Sequence, residues 1–224
     1  MKTVIITGAG KGIGFATTNH ILDNFPSYKV IAISRNTHQL GLINNSNLQV
    51  IQGDLTSEMD NIISAIGNQK IDGLLNNAGY IVKNDIDKLT YADFLDLYKT
   101  NVFVPFDLSR KLINNFNSNA HILNIGSMGG FENTSKFPGM ILYSSSKAAL
   151  HCLSQCLAVE LIENKIKVNC LSIGAVETEM VKVAFPGFQP PINAQTMAEA
   201  VAWYLLYAHK FMNGQIIPLA LSSV

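Results

Sequence analysis

The sequence carries no excess of charge of either sign, because sixteen lysine and arginine residues balance sixteen aspartate and glutamate residues. Nucleic-acid-binding and membrane-surface proteins usually have a basic excess, so we expect neither kind of partner. The sequence also lacks any apolar run near the roughly 18 residues that a membrane-spanning helix needs. No charged leader with a separate apolar stretch precedes the first apolar run, which argues against a signal peptide. We therefore predict a cytoplasmic protein.

Cysteine is scarce, with only Cys152, Cys156 and Cys170 in 224 residues. The first two lie four residues apart on a predicted helix, and the third lies on a predicted strand. A metal site would need more ligands at closer spacing, so we predict no metal. The simplest expectation is that all three cysteines are small, buried apolar residues.

Short runs rich in Val, Ile and Leu recur along the chain and are almost continuously apolar, as in strands that are covered on both faces. Segments with apolar residues three and four apart, the helical spacing, lie between them. This alternation predicts an α/β fold, with a parallel sheet and helices on both faces, in one domain over residues 1–224. The predicted strands are 4–7, 29–34, 48–52, 71–75, 120–126, 165–172 and 215–218.

The segment 179–194 departs from this pattern. It contains Pro186, Gly187, Pro190 and Pro191, which interrupt regular structure. We predict a substrate loop over the active site rather than a domain boundary.

A glycine-rich turn, T-G-A-G-K-G-I-G from Thr7 to Gly14, follows the first predicted strand and opens the first predicted helix. In that setting, backbone amides and the helix dipole can hold a pyrophosphate. Gly8 would permit the tight turn, Gly12 the close approach of phosphates and Gly14 close packing of helix on strand. Ile13 stands where the common G-x-G-x-x-G has its third glycine. Taken alone, the turn could be purely structural.

The pattern T-G-x-x-x-G-I-G resembles the fingerprint of the classical short-chain dehydrogenase/reductase family. Further motifs follow in the order of that family and cover the chain almost from end to end. They are Gly53-Asp54-Leu55, Asn76-Asn77-Ala78-Gly79, Asn101, Ser127, Tyr143-x-x-x-Lys147, Val168-Asn169 and Gly174-x-x-x-Thr178.

The resemblance implies a Rossmann-type, doubly wound parallel sheet of about seven strands that binds a nicotinamide dinucleotide. It puts Asp54 near the adenine, the backbone of Asn77 to Gly79 along the cofactor, and Thr178 near the nicotinamide amide. The predicted cofactor-binding residues are Gly8, Gly10, Lys11, Gly12, Ile13, Gly14, Ser34, Arg35, Asp54, Leu55, Asn77, Ala78, Gly79, Tyr143, Lys147, Gly174, Val176 and Thr178.

The end of the second predicted strand bears on the choice between NAD and NADP. A carboxylate about 20 residues past the glycines would bind the ribose hydroxyls of NAD and repel a 2′-phosphate. The chain has the neutral Ser34 there, followed by Arg35, and Lys11 lies in the glycine turn. Either cation alone could be ordinary surface charge. Together, with no acid at the key position, they favour NADP.

Tyr143 is the one tyrosine of seven that has a lysine, Lys147, four residues further on, so the two would share a helix face. Carbonyl reduction needs a proton donor for the developing alkoxide. Lowering the pKa of a tyrosine from about 10 to about 7 needs roughly 4 kcal/mol. A cation at about 4 Å is worth a similar amount at an effective dielectric near 20. The alternative is that Tyr143 and Lys147 are an ordinary surface pair without a catalytic role.

Two further residues complete the predicted catalytic set. Ser127 follows a predicted strand, at the sheet edge where open α/β sheets bind ligands, and its hydroxyl could support an oxyanion. It could also be an ordinary turn residue. Asn101 interrupts a predicted helix over residues 91–114. In related proteins this position bends the helix and holds a water linked to the lysine, although a merely tolerated asparagine is the alternative.

Ser127 and Tyr143 lie further apart than is usual in the family, so the loop 128–142 should be longer and shape the pocket. The leading prediction is an NADP-dependent reductase of a ketone or aldehyde, like the 3-oxoacyl or general carbonyl reductases of the family. An NAD-dependent alcohol dehydrogenase and a non-catalytic NADP(H) sensor are the alternatives. Apolar residues on the predicted pocket loops either face an apolar substrate or pack the loops down. These residues are Met128, Phe131, Phe137, Met140, Met180, Val183, Phe185 and Phe188.

The predicted helices 91–114 and 143–163 are rich in Leu, Ala and Phe. In relatives these two helices pair across a two-fold axis, and such contacts are the commonest way to form a homo-oligomer. We therefore predict a homodimer or homotetramer.

Overall fold

The structure, a computed structural model, describes residues 1–221. Seven strands form one sheet in the order β3-β2-β1-β4-β5-β6-β9, and every neighbouring pair is parallel. This confirms the predicted Rossmann-type fold class. The strands are β1 Lys2–Thr7, β2 Tyr28–Ser34, β3 Leu48–Gln52, β4 Ile71–Asn76, β5 Phe116–Ile125, β6 Lys167–Ile173 and β9 Ile216–Leu219, with a separate short pair, β7 Val176–Glu177 and β8 Ile192–Asn193.

Helices cover both faces of the sheet. Because consecutive strand residues point to opposite sides, each strand contributes side chains to both of the apolar clusters that result. Val4 and Ile6 of β1 belong to one buried cluster with residues of α1 and α7, whereas Ile5 belongs to the other cluster with residues of α2, α4 and α5. Burial on both faces explains why the strand sequences are continuously apolar. The helices are α1 Gly12–Asn24, α2 Met59–Ile66, α3 Tyr91–Tyr98, α4 Val104–Lys111, α5 Ile141–Glu160, α6 Glu179–Ala184 and α7 Ala194–Tyr207.

The sheet reverses its winding between β1 and β4, which are neighbours although β2 and β3 lie between them in the chain. In open α/β sheets, ligands bind beyond the carboxyl ends of the strands at such a switch point. The turn after β1 and the segment after β4 therefore meet at the expected binding edge.

The predicted helix 91–114 is interrupted at Asn101, where the sequence indicated a break. A single π-helical turn, Lys99–Phe103, separates α3 from α4 and contains the fully buried Asn101. The chain then leaves the helix after Lys111, and β5 begins at Phe116, before its predicted start.

Two sequence predictions need correction. Cys152 and Cys156 are exposed on α5, and only Cys170 is buried, because helical spacing puts the first two on the outer face. Part of the predicted loop 179–194 is helical: α6 covers Glu179–Ala184, and the Thr178 side chain caps it by accepting a hydrogen bond from the amide of Val181. The prolines begin only after this helix.

Within residues 1–221, every helix is too short or too polar to cross a bilayer. The same part of the chain contains no group of three histidine, cysteine or acidic side chains arranged to hold a metal ion.

Candidate active site

The glycine turn after β1 has the backbone geometry that its residues permit. Gly8 and Gly12 have φ of 64° and 57°, in the left-handed region that favours glycine. A Cβ on Gly14 would lie 2.5 Å from the carbonyl oxygen of Gly8, and a Cβ on Gly10 would lie 2.4 Å from the Ser34 hydroxyl oxygen. Side chains at these positions would push α1 and β2 away from the turn.

Hydrogen bonds tie this turn to the segment after β4. The Asn77 side-chain amide donates to the carbonyl oxygens of Thr7 and Gly8 at 2.9 and 3.3 Å. The backbone amides of Asn77 and Ala78 both donate to the Thr7 hydroxyl at 3.0 Å. The two segments therefore form one rigid edge on which a ligand can lie.

A cleft of about 240 Å³ opens along the carboxyl ends of the strands. Fourteen of the predicted site residues line it, and six do not. The lining residues are Gly8, Lys11, Gly12, Ile13, Ser34, Arg35, Asp54, Leu55, Asn77, Ala78, Gly79, Tyr143, Lys147 and Thr178, and the six others are Gly10, Gly14, Asn101, Ser127, Gly174 and Val176.

Each of the two cations at the predicted phosphate end faces a carboxylate. The guanidinium of Arg35 lies 3.7 Å from Asp54, and the ammonium of Lys11 lies 3.1 Å from Glu179. Partial burial acts to raise the pKa of Asp54, but hydrogen bonds from Thr56 and the charge of Arg35 outweigh it and hold that pKa below its ordinary value. Asp54 is therefore ionised at neutral pH.

At the other end of the cleft, Lys147 is buried and donates a 2.8 Å hydrogen bond to the carbonyl oxygen of Ile125. Its ammonium lies 5.9 Å from the centre of the Tyr143 ring. Burial lowers the pKa of Lys147 to about 8. Burial also raises the pKa of Tyr143, and a hydrogen bond with the Ser127 hydroxyl opposes that shift only in part.

In the chain on its own, burial therefore dominates, and the pKa of Tyr143 lies above its ordinary value. The physical reason is that both groups are removed from water, which disfavours the charged form of each. The ammonium also bonds the Ile125 carbonyl rather than the phenol.

Ser127 both shapes a turn and presents a hydroxyl. Its side-chain oxygen accepts a hydrogen bond from the amide of Gly129 at 3.1 Å and starts the short turn Met128–Gly130. Because that bond uses an oxygen lone pair, the hydroxyl proton is available to the neighbouring phenol or to a ligand.

Asn101 joins three segments of the site from within the π-helical turn. Its side-chain nitrogen donates to the Tyr80 carbonyl at 2.9 Å and to the Ser146 hydroxyl at 3.0 Å, and its oxygen accepts from the Tyr80 amide at 2.8 Å. The Ser146 hydroxyl in turn donates to the carbonyl of Tyr143 at 2.7 Å. Asn101 thus holds the start of α5 against the segment after β4.

Some residues near the site were not predicted from the sequence. Tyr80 and Gly126 line the cleft, and the position of Gly126 directly after β5 could have indicated it. Met180, which the sequence put on a pocket loop, also lines the cleft. His151 lies one helical turn beyond Lys147, is buried, and has its Nε2 against Gly126, where a Cβ would come within 2.3 Å. Helical spacing from Lys147 was the signal that could have found this histidine.

A nicotinamide dinucleotide fits these residues. The glycine turn exposes backbone with little side chain at the start of α1, where a pyrophosphate gains from amides and the helix dipole. Arg35 and Asp54 line one end of the cleft, and Tyr143 and Lys147 line the other.

Comparisons with known proteins agree with this fit. A family model described as short chain dehydrogenase matches residues 2–187. An uncharacterized oxidoreductase of Staphylococcus aureus (strain MW2) is 30% identical in an alignment of 222 positions, and the match covers 91% of this chain and 90% of that protein.

Solved structures show the same likeness. A short chain dehydrogenase family protein from Francisella tularensis subsp. tularensis SCHU S4 is 28% identical with a TM-score of 0.86, covering 98% of this chain and 97% of that one. ElxO, solved with NADP bound, is 25% identical with a TM-score of 0.81, covering 98% of this chain and 97% of its own. The chain belongs to the short-chain dehydrogenase family of oxidoreductases.

Proposed function

We propose that the protein reduces a ketone or aldehyde with NADPH and that Tyr143 donates the proton. The observation that carries this proposal is that the phenol of Tyr143 and the ammonium of Lys147 lie in the same cleft as the glycine turn. A bound reduced nicotinamide would supply the hydride. The chain itself supplies the proton, through Tyr143, and the side chains that orient the carbonyl and stabilise Tyr143 during the transfer.

The state of Tyr143 suits a proton donor. Burial raises its pKa, so the phenol carries its proton at neutral pH and can give it to a developing alkoxide. The Ser127 hydroxyl beside it is a second donor for the carbonyl oxygen. Lys147, with a pKa of about 8, is mostly charged near neutrality and stabilises the phenolate that remains after the transfer.

Asn101 is proposed to act through its neighbours. Its amide fixes Tyr80 and Ser146, and so fixes the start of α5, where Tyr143 lies. Gly79 is close to both Asn101 and Lys147: a Cβ there would lie 3.5 and 3.7 Å from their side chains. A proton path past Asn101 to Lys147, as in relatives, runs through this crowded corner.

The proposed preference for NADP rests on Arg35 and Lys11, which line the cleft together with the neutral Ser34. A 2′-phosphate placed there would meet two cations and no carboxylate at the end of β2. Asp54 and Glu179 oppose this attraction, so the preference depends on the balance of four charges.

The test is a screen of ketones and aldehydes against the purified protein, with NADPH and then NADH, in which the absorbance of the reduced nicotinamide is followed. Tyr143→Phe provides the control, because it removes the proton donor and leaves the ring. We expect NADPH-dependent turnover that Tyr143→Phe abolishes while cofactor affinity is retained. A protein that binds NADPH but reduces nothing would be a sensor, and equal turnover with NADH would favour the NAD-dependent alternative.

We also propose a homodimer, supported by apolar side chains that α3, α4 and the turn between them leave exposed. Tyr91, Phe103 and Phe106 are 76%, 52% and 38% exposed, and Val159 on α5 is 71% exposed. Covering such a surface with a second copy would remove apolar area from water. Light scattering that gives a 24.4 kDa particle at micromolar concentration would contradict this proposal.

A further inference from the structure

A lysine outside the predicted site lies at the rim of the substrate end of the cleft. The ammonium of Lys83 is 4.2 Å from the centre of the Phe185 ring. Lys83 comes three residues after Tyr80, and Phe185 follows α6, which carries Met180; both Tyr80 and Met180 line the cleft. The contact therefore joins the segment after Tyr80 to the end of α6.

The Phe185 ring belongs to a cluster of three phenylalanine rings. We call these three residues, Phe137, Phe185 and Phe188, the aromatic rim. Phe185 packs edge-on against Phe137 at 6.2 Å and against Phe188 at 6.3 Å between ring centres. Phe137 and Phe188 are each 50% exposed, so the rim presents apolar surface to solvent. An apolar chain leaving the cleft would have this surface to cover.

The segment of Lys83 is fixed to the rim by the backbone. The amide of Asn84 donates to the carbonyl oxygen of Gly139 at 3.1 Å, and a Cβ on Gly139 would lie 3.1 Å from Cγ of Lys83. A second, open cavity of about 620 Å³ begins here, lined among others by Asn84, Phe137 and Met140. The rim thus leads into space large enough for the far part of a ligand.

Lys83 differs from the other cations near the rim. Lys136 donates to the Phe131 carbonyl and the Thr134 hydroxyl, Lys182 pairs with Glu177, and Lys88 pairs with Asp85. Over residues 1–221, Lys83 has neither a hydrogen bond nor a salt bridge. Lys83 is exposed, and the protein group that faces its ammonium is an aromatic ring, which attracts a cation much less than an anion does.

We propose that Lys83 binds an anionic end group of the substrate. The substrate class is then a ketone or aldehyde with an apolar body that ends in a carboxylate or a phosphate. The carbonyl lies at Tyr143, the apolar body crosses the aromatic rim, and the anion replaces the Phe185 ring as the partner of the ammonium. This inference rests on the proposed reductase function and adds the specificity that the proposal lacks.

The experiment compares substrates that differ only in charge. Straight-chain oxo acids are paired with their methyl esters, and an oxoacyl phosphopantetheine thioester is paired with the thioester of pantetheine, which lacks the phosphate. We expect the wild type to show a KM roughly three- to fivefold lower for one charged member, the factor that a partly exposed ion pair provides. The pair that shows the difference identifies the end group as carboxylate or phosphate.

Lys83→Met keeps an apolar side chain of similar length and should abolish this difference, whereas Lys83→Arg should keep it. Lys88→Met is the matched control, because Lys88 lies on the same segment and is already paired with Asp85. A change in the KM of the uncharged member in Lys83→Met would reveal a structural effect. An unchanged ratio of charged to uncharged KM in Lys83→Met would overturn the inference.

Calorimetric titration of the charged and uncharged compounds into the NADPH-loaded protein separates the two proposals. If the charged compound binds in a way that depends on Lys83 but is not turned over, the reductase function is wrong and the anion site at Lys83 is supported. Turnover without discrimination by charge would do the reverse. If neither member of either pair is bound or reduced, both proposals are wrong.

Discussion

The ammonium of Lys11 lies 3.1 Å from the carboxylate of Glu179, although 168 residues separate them in the chain. The bond joins the glycine turn to the first turn of α6 across the cofactor cleft. Lys11 therefore cannot give its full charge to a 2′-phosphate unless it leaves Glu179. The choice between the two nicotinamide cofactors depends on this competition as well as on the end of β2.

Glu179→Gln should tighten NADPH binding by up to about fivefold, because a largely exposed carboxylate no longer competes for Lys11. NADH, which lacks the phosphate, should bind as before. The dissociation constants can be measured by the fluorescence of the reduced nicotinamide. In the double variant Lys11→Gln, Glu179→Gln the gain should disappear, and equal tightening of NADPH and NADH would instead point to an effect on closure of α6.

Arg35→Ala should weaken NADPH binding by about tenfold, since a charge-assisted hydrogen bond contributes at least about 1.5 kcal/mol. We take the low end of the range because the Arg35 side chain is 77% exposed. Ser34→Asp together with Arg35→Ala should make NADH the preferred cofactor by adding an acceptor for its ribose hydroxyls. Catalytic efficiencies with both cofactors measure this, and raised salt should narrow the wild-type preference.

A wild type that uses NADH as well as NADPH would show that Arg35 and Lys11 are ordinary surface charges. Asp54→Asn is a useful control for the Arg35 result. It removes the carboxylate 3.7 Å from the guanidinium, so it should favour NADPH if the arginine contacts the phosphate.

Lys147→Met should reduce turnover by at least about 100-fold, the usual contribution of a proton-transfer group. In the wild type, reduction should slow as the pH rises through about 8, because the ammonium then loses the proton that stabilises a phenolate. This limb of the pH profile should vanish in Lys147→Met and return in Lys147→Arg, shifted to higher pH. A limb that stays near pH 8 in Lys147→Met would assign it to another group.

Acid should destabilise the fold through His121, which is fully buried in β5. Its Nδ1 bonds the Leu205 carbonyl at 2.9 Å and its Nε2 faces the amide nitrogen of Asn169 at 3.0 Å, so the buried ring is neutral and has no place for a second proton. Burial lowers its pKa from 6.5 to about 4. Between these values the unfolded chain takes up a proton and the folded chain does not, so stability falls with falling pH.

At pH 5 this single group should cost about 2 kcal/mol of the free energy of unfolding that is present at pH 7. Urea unfolding at the two pH values measures the loss. His151, whose pKa burial also lowers to about 4, adds to it. His121→Gln should flatten the pH dependence, and an identical slope in that variant would rule out His121 as the source.

The strands were predictable because each is buried on both faces. In β2, for example, four consecutive apolar residues are fully buried: Val30, Ile31, Ala32 and Ile33. A short apolar run of this kind has the length of a strand and is too short for a typical helix. The start of β5 was missed because Asn119 and its neighbours are polar, and Asn119 has a φ of 67° that breaks the apolar pattern. The segment 179–194 was predicted as a loop throughout because it contains three prolines. Its helical start was missed because Thr178 was not recognised as a helix N-cap.

The residue types of the site were predictable from motif order and from the ends of strands, but their electrostatics were not. The bond from Lys11 to Glu179 and the contact of Lys83 with Phe185 join positions that are distant in sequence. Likewise, the raised pKa of Tyr143 follows from burial, which depends on how α5 packs. Local pattern carries no information about such contacts.

The π-helical turn Lys99–Phe103 sets the exact length of the helical segment that carries it. Such a turn holds one residue more than an α-helical turn. A deletion of one residue there would convert the turn into an α-helical one and remove the bulge in which Asn101 lies. Asn101 would then turn away from Tyr80 and Ser146. The contacts of Asn101 therefore depend on the residue count of this turn, as well as on the identity of the asparagine.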